Sequence, residues 1–229
     1  MAGQREHFDT IAHAYDGSIP AHVQDHYLDK RMRFLSPLFG EGDWVCSVGG
    51  GTGSLERALA GPGERLVLID QSEAMCRLAR GKGLPHVVCA DAAHLPLKTA
   101  MAGLAYSVAA FHHLIRPDKV ALAVKEMHRI IRPGGTMVIW DHNLRNPYWK
   151  IIMAKVPQDT GDERIVPLEE FRRLLTALAC RWSVAYSGWV PDFVPRSLLG
   201  AAKAIEWLLE RLPGVKGLAA HNIFTVRKT

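Results

Sequence analysis

The chain has 229 residues, 48% apolar and 22% charged, which is the balance of an ordinary globular domain with enough apolar material for one sizeable core. No run approaches the roughly 18 consecutive apolar residues of a membrane-spanning helix, no apolar segment marks a secretory leader in MAGQREHFDT, and no repeat of solenoid length recurs. The net charge of +5 is uneven: residues 1–142 carry 15 Lys/Arg against 15 Asp/Glu, and residues 143–229 carry 13 against 8.

In chain order, the first forty residues read as helical and polar. Val23, Tyr27, Leu28, Met32 and Leu35 form a helical stripe that Pro37 and Gly40 close. Strands and helices then alternate. Trp44–Val48 is a buried strand running into glycines, and Ser54–Ala60 is the helix after it. Arg65–Ile69 is a strand ending at Asp70, followed by a helix over Ser72–Arg80. His86–Ala90 is a strand ending at Asp91, and Leu104–Ala110 is a fourth. Lys119–Ile131 is an amphipathic helix stopped by Pro133-Gly134-Gly135, and Thr136–Trp140 is a fifth strand ending at Asp141. Beyond it, Pro167–Ala179 reads as a helix, and Trp182–Val190 and Ile223–Arg227 as two late strands. Arg196–Leu212 reads as an amphipathic helix with Leu198, Ala202, Ile205, Leu208, Leu209 and Leu212 on one face.

This alternation predicts an α/β fold: a Rossmann-like, doubly wound, mostly parallel sheet with an antiparallel last strand and an N-terminal helical lid. The expected division is a lid over 1–42, a ligand-binding core over 43–142 and a C-terminal region over 143–229 that completes the sheet. In such sheets ligands bind at the carboxyl ends of the strands, where Asp70, Asp91 and Asp141 stand in step. Cys46, Cys76, Cys89 and Cys180 form no C-x-x-C pair, which suits reduced thiols in a cytoplasmic protein.

The loop VGGGTGS, Val48 to Ser54, allows close backbone approach to a ligand at a helix N-terminus. Its G-x-G-x-G spacing puts Ser54 where a dinucleotide fingerprint needs glycine, which argues against a nicotinamide oxidoreductase. A carboxylate at Asp70 can accept both hydroxyls of a ribose, and Asp91 is placed for an adenine amino group. Both features without a diphosphate site point to an adenosyl ligand.

FDTIAHAYD, VGGGTG, LVLIDQSEAM, CADAAHLPL, AFHHL and EMHRIIRPGG together resemble the class I S-adenosylmethionine-dependent methyltransferases of the small-molecule type, similar to the quinone-biosynthesis enzymes. The resemblance covers most of residues 5–142. It implies S-adenosyl-L-methionine as cofactor, held by Gly49, Gly50, Gly51 and Gly53, with Asp70 on the ribose, Gln71 and Met75 flanking the adenine, Asp91 and Ala92 at its edge, and Ala109 nearby. Tyr15 would close over the ligand, and Arg31 is a candidate for its carboxylate. Two positions depart from the family: Ser47 stands where an acid usually fixes the glycine loop and the ligand's ammonium group, and Ala102-Gly103 replaces Phe-Asp.

Methyl transfer to a phenol or enol benefits from a general base, most often histidine. The candidates are His112 and His113 after the fourth strand, His142 after the fifth, and His22 and His26 one helical turn apart in the lid. No metal site is expected, because the His22/His26 pair lacks a third ligand at suitable spacing. Asn146-Pro147-Tyr148 resembles an adenine-methylating motif but follows the fifth strand rather than the fourth, so it reads as a turn and no nucleic-acid partner is expected. The expected activity is methyl transfer, chiefly to oxygen, with a small hydrophobic or aromatic acceptor and a monomer or homodimer as the working unit. Membrane association through the late amphipathic helix is a less favoured reading. The alternative function is a cofactor-binding protein without transfer activity, acting as scaffold, regulator or catalyst of another reaction.

Overall fold

A computed structural model describes residues 2–60, 65–152 and 161–229. Eight helices occur among them: α1 (Ala2–Tyr15), α2 (Ala21–Leu35), α3 (Ser54–Leu59), α4 (Glu73–Gly81), α5 (Pro117–Ile130), α6 (Pro147–Ile152), α7 (Leu168–Ala177) and α8 (Leu199–Leu209). The strands are β1 (Trp44–Val48), β2 (Arg65–Asp70), β3 (His86–Cys89), β4 (Ala102–Val108), β5 (Ile131–His142), β6 (Arg181–Ser187) and β7 (His221–Arg227).

The strands form one sheet in the order β3-β2-β1-β4-β5-β7-β6. β7 is antiparallel to both its neighbours and every other pairing is parallel, as the alternation predicts. The order reverses between β1 and β4, so the crevice at their carboxyl ends is the expected ligand site. Because side chains alternate along a strand, the two faces hold separate cores. Cys46, Val67, Ala105 and Ile139 meet Val124, Met127 and Ile130 of α5 and Phe171 of α7. Val45, Leu66, Tyr106 and Trp140 meet Leu35 of α2 and Leu55 and Leu59 of α3.

Three expectations change. β5 starts at Ile131, before the Pro-Gly-Gly read as a stop, and a register shift between Ala102 and Leu104 absorbs the extra residues. Gly135 makes this bulge fit, since a Cβ there would lie 2.9 Å from the Arg132 carbonyl and 3.0 Å from that of Gly103. Gly103 in turn explains the departure from Phe-Asp. A side chain there would collide with the carboxylate of Asp43, which accepts from Arg132 Nε at 2.9 Å and Nη2 at 2.5 Å. The acid that the resemblance leads one to expect on β4 is thus matched by Asp43 in the turn before β1. Cys89, although it falls inside an apolar run, is exposed because β3 is an edge strand.

Candidate active site

Two adjoining cavities open at the carboxyl ends of β1, β2 and β4. The first is lined by Phe8, Tyr15, Gly49, Gly51, Asp70, Gln71, Met75, Asp91, Ala92, Ala109 and His113. The second, about 590 Å³, shares Tyr15, Gly49, Gly51, Ala109 and His113, and adds Gly50, Arg31, Glu56, His112, His142 and aromatic side chains of the C-terminal region. Most of the sequence-predicted ligand residues therefore converge on one cleft.

The glycine loop takes its shape from positive φ. Gly51 (φ +56°) has nothing within 4 Å of where a Cβ would stand, so its backbone faces open cleft. Its amide donates to Asp70 Oδ2 at 2.8 Å, and the Ser72 amide donates to Oδ1 at 2.9 Å. Burial, reinforced by nearby Asp9, raises the Asp70 carboxyl above the usual range. Gly53 is the left-handed N-cap of α3, where a Cβ would meet Leu84 at 2.6 Å, and it lines neither cavity.

Asp91 accepts from Lys119 Nζ and from the Ala93 amide, both at 2.8 Å. The loop behind it is clamped by α5. Glu126 Oε2 accepts from the Leu95 amide at 2.8 Å, and Arg129 donates to the Leu95 and Leu97 carbonyls at 3.0 and 2.8 Å. The roof is α1, which contributes Phe8 and Tyr15 and is latched by two carboxylates. Asp9 Oδ1 accepts from Ser72 Oγ (2.6 Å) and the Ala74 amide (3.0 Å) at the start of α4. Asp16 accepts from Thr52 Oγ1 and Lys82 Nζ, each at 2.6 Å.

Sequence reasoning missed Glu56. It is 3.0 Å from Tyr106 Oη and accepts from Ser47 Oγ at 2.6 Å, 2% exposed beneath the glycine loop. Its Oε2 has no hydrogen-bond partner among the described residues, and burial raises its pKa. A carboxylate thus stands behind the serine that replaces the expected acid. The signal was an acid one turn into α3, a position that on most helices faces water. Arg31 reaches the same cavity, where burial lowers its pKa despite the fields of Tyr15, Tyr27 and Glu56.

The second cavity is bordered by a histidine cluster. Asp141, fully enclosed, accepts from His112 Nδ1 at 2.7 Å and from the His112 and His142 amides at 3.2 and 2.6 Å. Burial opposes its ionisation, but the His112 ring and these donors hold it below the usual carboxylate range. A carboxylate accepts only from a protonated Nδ1, which leaves the basic lone pair of His112 on Nε2. His142 is sandwiched between His112 (centroids 4.0 Å apart, planes 15° apart) and Trp149 (3.7 Å, 14°). Burial and the neighbouring His112 ring push its pKa well down. His112, Asp141 and His142 present ligand atoms within 4.8 Å of one another. The near-parallel stacking of the two rings keeps their in-plane lone pairs from converging on a common ion.

The lid histidines His22 and His26 line neither cavity. His22 Nε2 contacts the Val194 carbonyl at 2.7 Å, and His26 Nε2 contacts Glu206 Oε2 at 2.7 Å. That face of α2 packs on α8, so the pair ties the lid down instead of lining the site. Asn146 holds a turn, as read: its Nδ2 donates to the Leu218 carbonyl and its Oδ1 accepts from the Tyr148 amide.

The histidine cluster is expected to make stability acid-sensitive. Burial, aided by His112, lowers His113 to about 4, and burial, aided by Arg31, lowers His221 to about 3. These rings and His142 stay neutral in the fold while the unfolded chain takes up protons below about 6.5. Their contribution is complete above that pH and is lost as pH falls toward 4. Urea titrations at descending pH are expected to show a falling midpoint, with roughly two to three protons taken up on unfolding. A flat midpoint between pH 7 and 5 would contradict the neutral cluster.

Comparison with known proteins adds the following. A methyltransferase-domain family matches residues 46–139. An uncharacterised methyltransferase of Oceanobacillus iheyensis is 30% identical over 141 residues, 58% of this chain and 64% of that one. A ubiquinone/menaquinone biosynthesis C-methyltransferase of Ralstonia nicotianae is 29% identical over 123 residues, 50% of this chain and 49% of that one. The chain therefore spans about half to two thirds of the length of these two relatives. Among solved structures, a methyltransferase of Thermotoga maritima described as a possible histamine N-methyltransferase shares the fold with a TM-score of 0.73 at 18% identity, covering 99% of this chain and 100% of that one.

Proposed function

We propose that this chain, whose residues 46–139 match a methyltransferase-domain family, is a class I S-adenosylmethionine-dependent methyltransferase that transfers a methyl group to an oxygen of a small hydrophobic or aromatic acceptor. The observation that carries the choice of oxygen is the Asp141–His112 pair beside the larger cavity, a constellation suited to taking a proton from a hydroxyl.

The cleft fits the cofactor on its own chemistry. Gly51 leaves open space against its backbone, Asp70 offers a buried carboxylate to a diol, Met75 gives an apolar surface, and Asp91 stands at the far end. When bound, S-adenosylmethionine supplies an electrophilic methyl group on a sulfonium. Arg31 and Glu56 would hold the amino-acid end, the guanidinium on its carboxylate and Glu56, through Ser47, on its ammonium group. His112 Nε2 would accept the acceptor's hydroxyl proton, and Asp141 would stabilise the resulting imidazolium. His113 and His142 would act as neutral walls that orient the acceptor and exclude water.

Glu56→Gln is expected to weaken S-adenosylmethionine binding by about tenfold, since Ser47 loses the carboxylate that orients it while the shape is kept. Calorimetric titration checks this, with the thermal midpoint as a control for folding. Undiminished affinity would remove Glu56 from the ammonium site. The function as a whole is tested by mass-spectrometric detection of methylated products from a panel of phenols, enols, amines and activated carbon acids. Methylation confined to amines or carbon would overturn the oxygen assignment. Tight cofactor binding with no product from any acceptor would favour a binder without transfer activity.

A further inference from the structure

α8 is built with its apolar side outward. Of the nine exposed large apolar side chains among the described residues, seven lie between Phe193 and Leu218. Leu198, Ile205, Leu208 and Leu212 form one stripe at helical spacing, flanked by Trp207 at 58% and Phe193 at 70% exposure. The expected single apolar face is therefore split: Ala202 and Leu199 turn inward onto Val23, Val190 and Val194, and the larger side chains turn to solvent.

The cause is the polar content of the inner face. Glu206, 3% exposed, takes His26 at 2.7 Å, Lys30 at 3.0 Å and the Trp189 amide at 2.8 Å. Glu210 takes Lys30 Nζ at 2.6 Å and the Gly188 amide at 2.9 Å. Both acids of the segment are thus turned inward and neutralised. The segment also carries Arg196, Lys203, Arg211 and Lys216, all exposed, none in an ion pair with an acid among the described residues. Arg211 lies over the Trp207 ring at 4.0 Å. An exposed surface of aliphatic residues, tryptophan and unpaired cations, with its acids removed from view, has the composition of an interfacial helix.

We propose that the face formed by Phe193–Leu212 docks onto an anionic lipid bilayer, without spanning it. No helix among the described residues is long and apolar enough to cross one. Charge decides against a second copy of the chain as occupant, because a two-fold contact would set these cations against themselves. Trp189, Val190, Pro191 and Leu218 line the larger cavity and bracket the docking face in sequence. Docking therefore sets one wall of that cavity beside the acyl layer. The proposal goes beyond the methyl-transfer reading and does not depend on it.

The test is co-sedimentation of the full chain with vesicles of phosphatidylcholine alone, and of phosphatidylcholine with about a third phosphatidylglycerol. Binding is expected only to the anionic vesicles and should fall with added salt. Lys203→Ala with Arg211→Ala should weaken it about twentyfold to thirtyfold, at roughly fivefold per charge. Ile205→Glu with Leu208→Glu should abolish it with an unchanged thermal midpoint, since both side chains face solvent. No binding to anionic vesicles, or equal binding to neutral ones, would overturn the proposal. Self-association in sedimentation velocity that the Ile205→Glu/Leu208→Glu variant removes, without vesicle binding, would overturn it in favour of a homodimer contact.

Discussion

Replacing His112 with alanine is expected to slow methyl transfer by about 10²- to 10⁴-fold, the range for removing a positioned general base, with cofactor affinity nearly unchanged. His112 lines the larger cavity, whereas the first cavity, which holds the predicted adenosyl contacts, does not include it. The loss should therefore fall on the single-turnover rate rather than on binding. Asp141→Asn separates the two roles of the carboxylate. Asparagine keeps an oxygen for His112 Nδ1 but carries no charge to stabilise an imidazolium. Its rate should fall below wild type, and stability should fall with it, because Asp141 also accepts two backbone amides. His113→Ala serves as the control: that ring is held neutral, with its pKa down at about 4, so its loss should cost less than that of His112. A His112→Ala enzyme with the full single-turnover rate would move the base elsewhere or show that the acceptor needs none.

Asp70→Ala should weaken S-adenosylmethionine and S-adenosylhomocysteine binding by at least about 100-fold. Hydrogen bonds to a charged partner contribute about 1.5–3 kcal/mol each, and a ribose would bring two. The same carboxylate fixes the Gly51 and Ser72 amides, so the variant also loosens the loop. Asp70→Asn distinguishes these effects: it retains one acceptor for the loop and loses the charge at the diol. Calorimetric titration of both variants, with NADH as a competitor expected not to bind, reads the result. Wild-type affinity in Asp70→Ala would refute the placement of the ribose.

The parts of this architecture legible in the sequence are those with a local physical cause. Trp44–Val48 and Arg65–Asp70 are apolar runs ending in glycine or aspartate, and α5 carries its buried stripe at helical spacing. The cleft residues were legible because short loops tie them to strand ends. The rest depended on tertiary neighbours. Nothing local in Ile131–Gly135 reveals that Gly103 lies alongside and lets the strand continue through proline and glycine. Glu56 looks like an ordinary helical acid until Ser47 and Tyr106 are seen to enclose it. His22 and His26 were correctly placed on one face of α2, but periodicity does not say which neighbour that face meets, and it meets α8. The outward stripe of α8 was legible as amphipathic, with its sense reversed by two inward acids.

The roof over the cofactor cleft has a consequence for the pace of the catalytic cycle. α1 contributes Phe8 and Tyr15 to the cleft and is held across it by Asp9 on the start of α4 and by Asp16 on Thr52 and Lys82. These latches are side-chain contacts outside the sheet, so opening of α1 is expected to cost a small fraction of global unfolding. On the proposed function, spent cofactor would leave past this segment, and the opening frequency of α1, rather than the proton transfer at His112, would set the ceiling on steady-state turnover once the chemistry is fast.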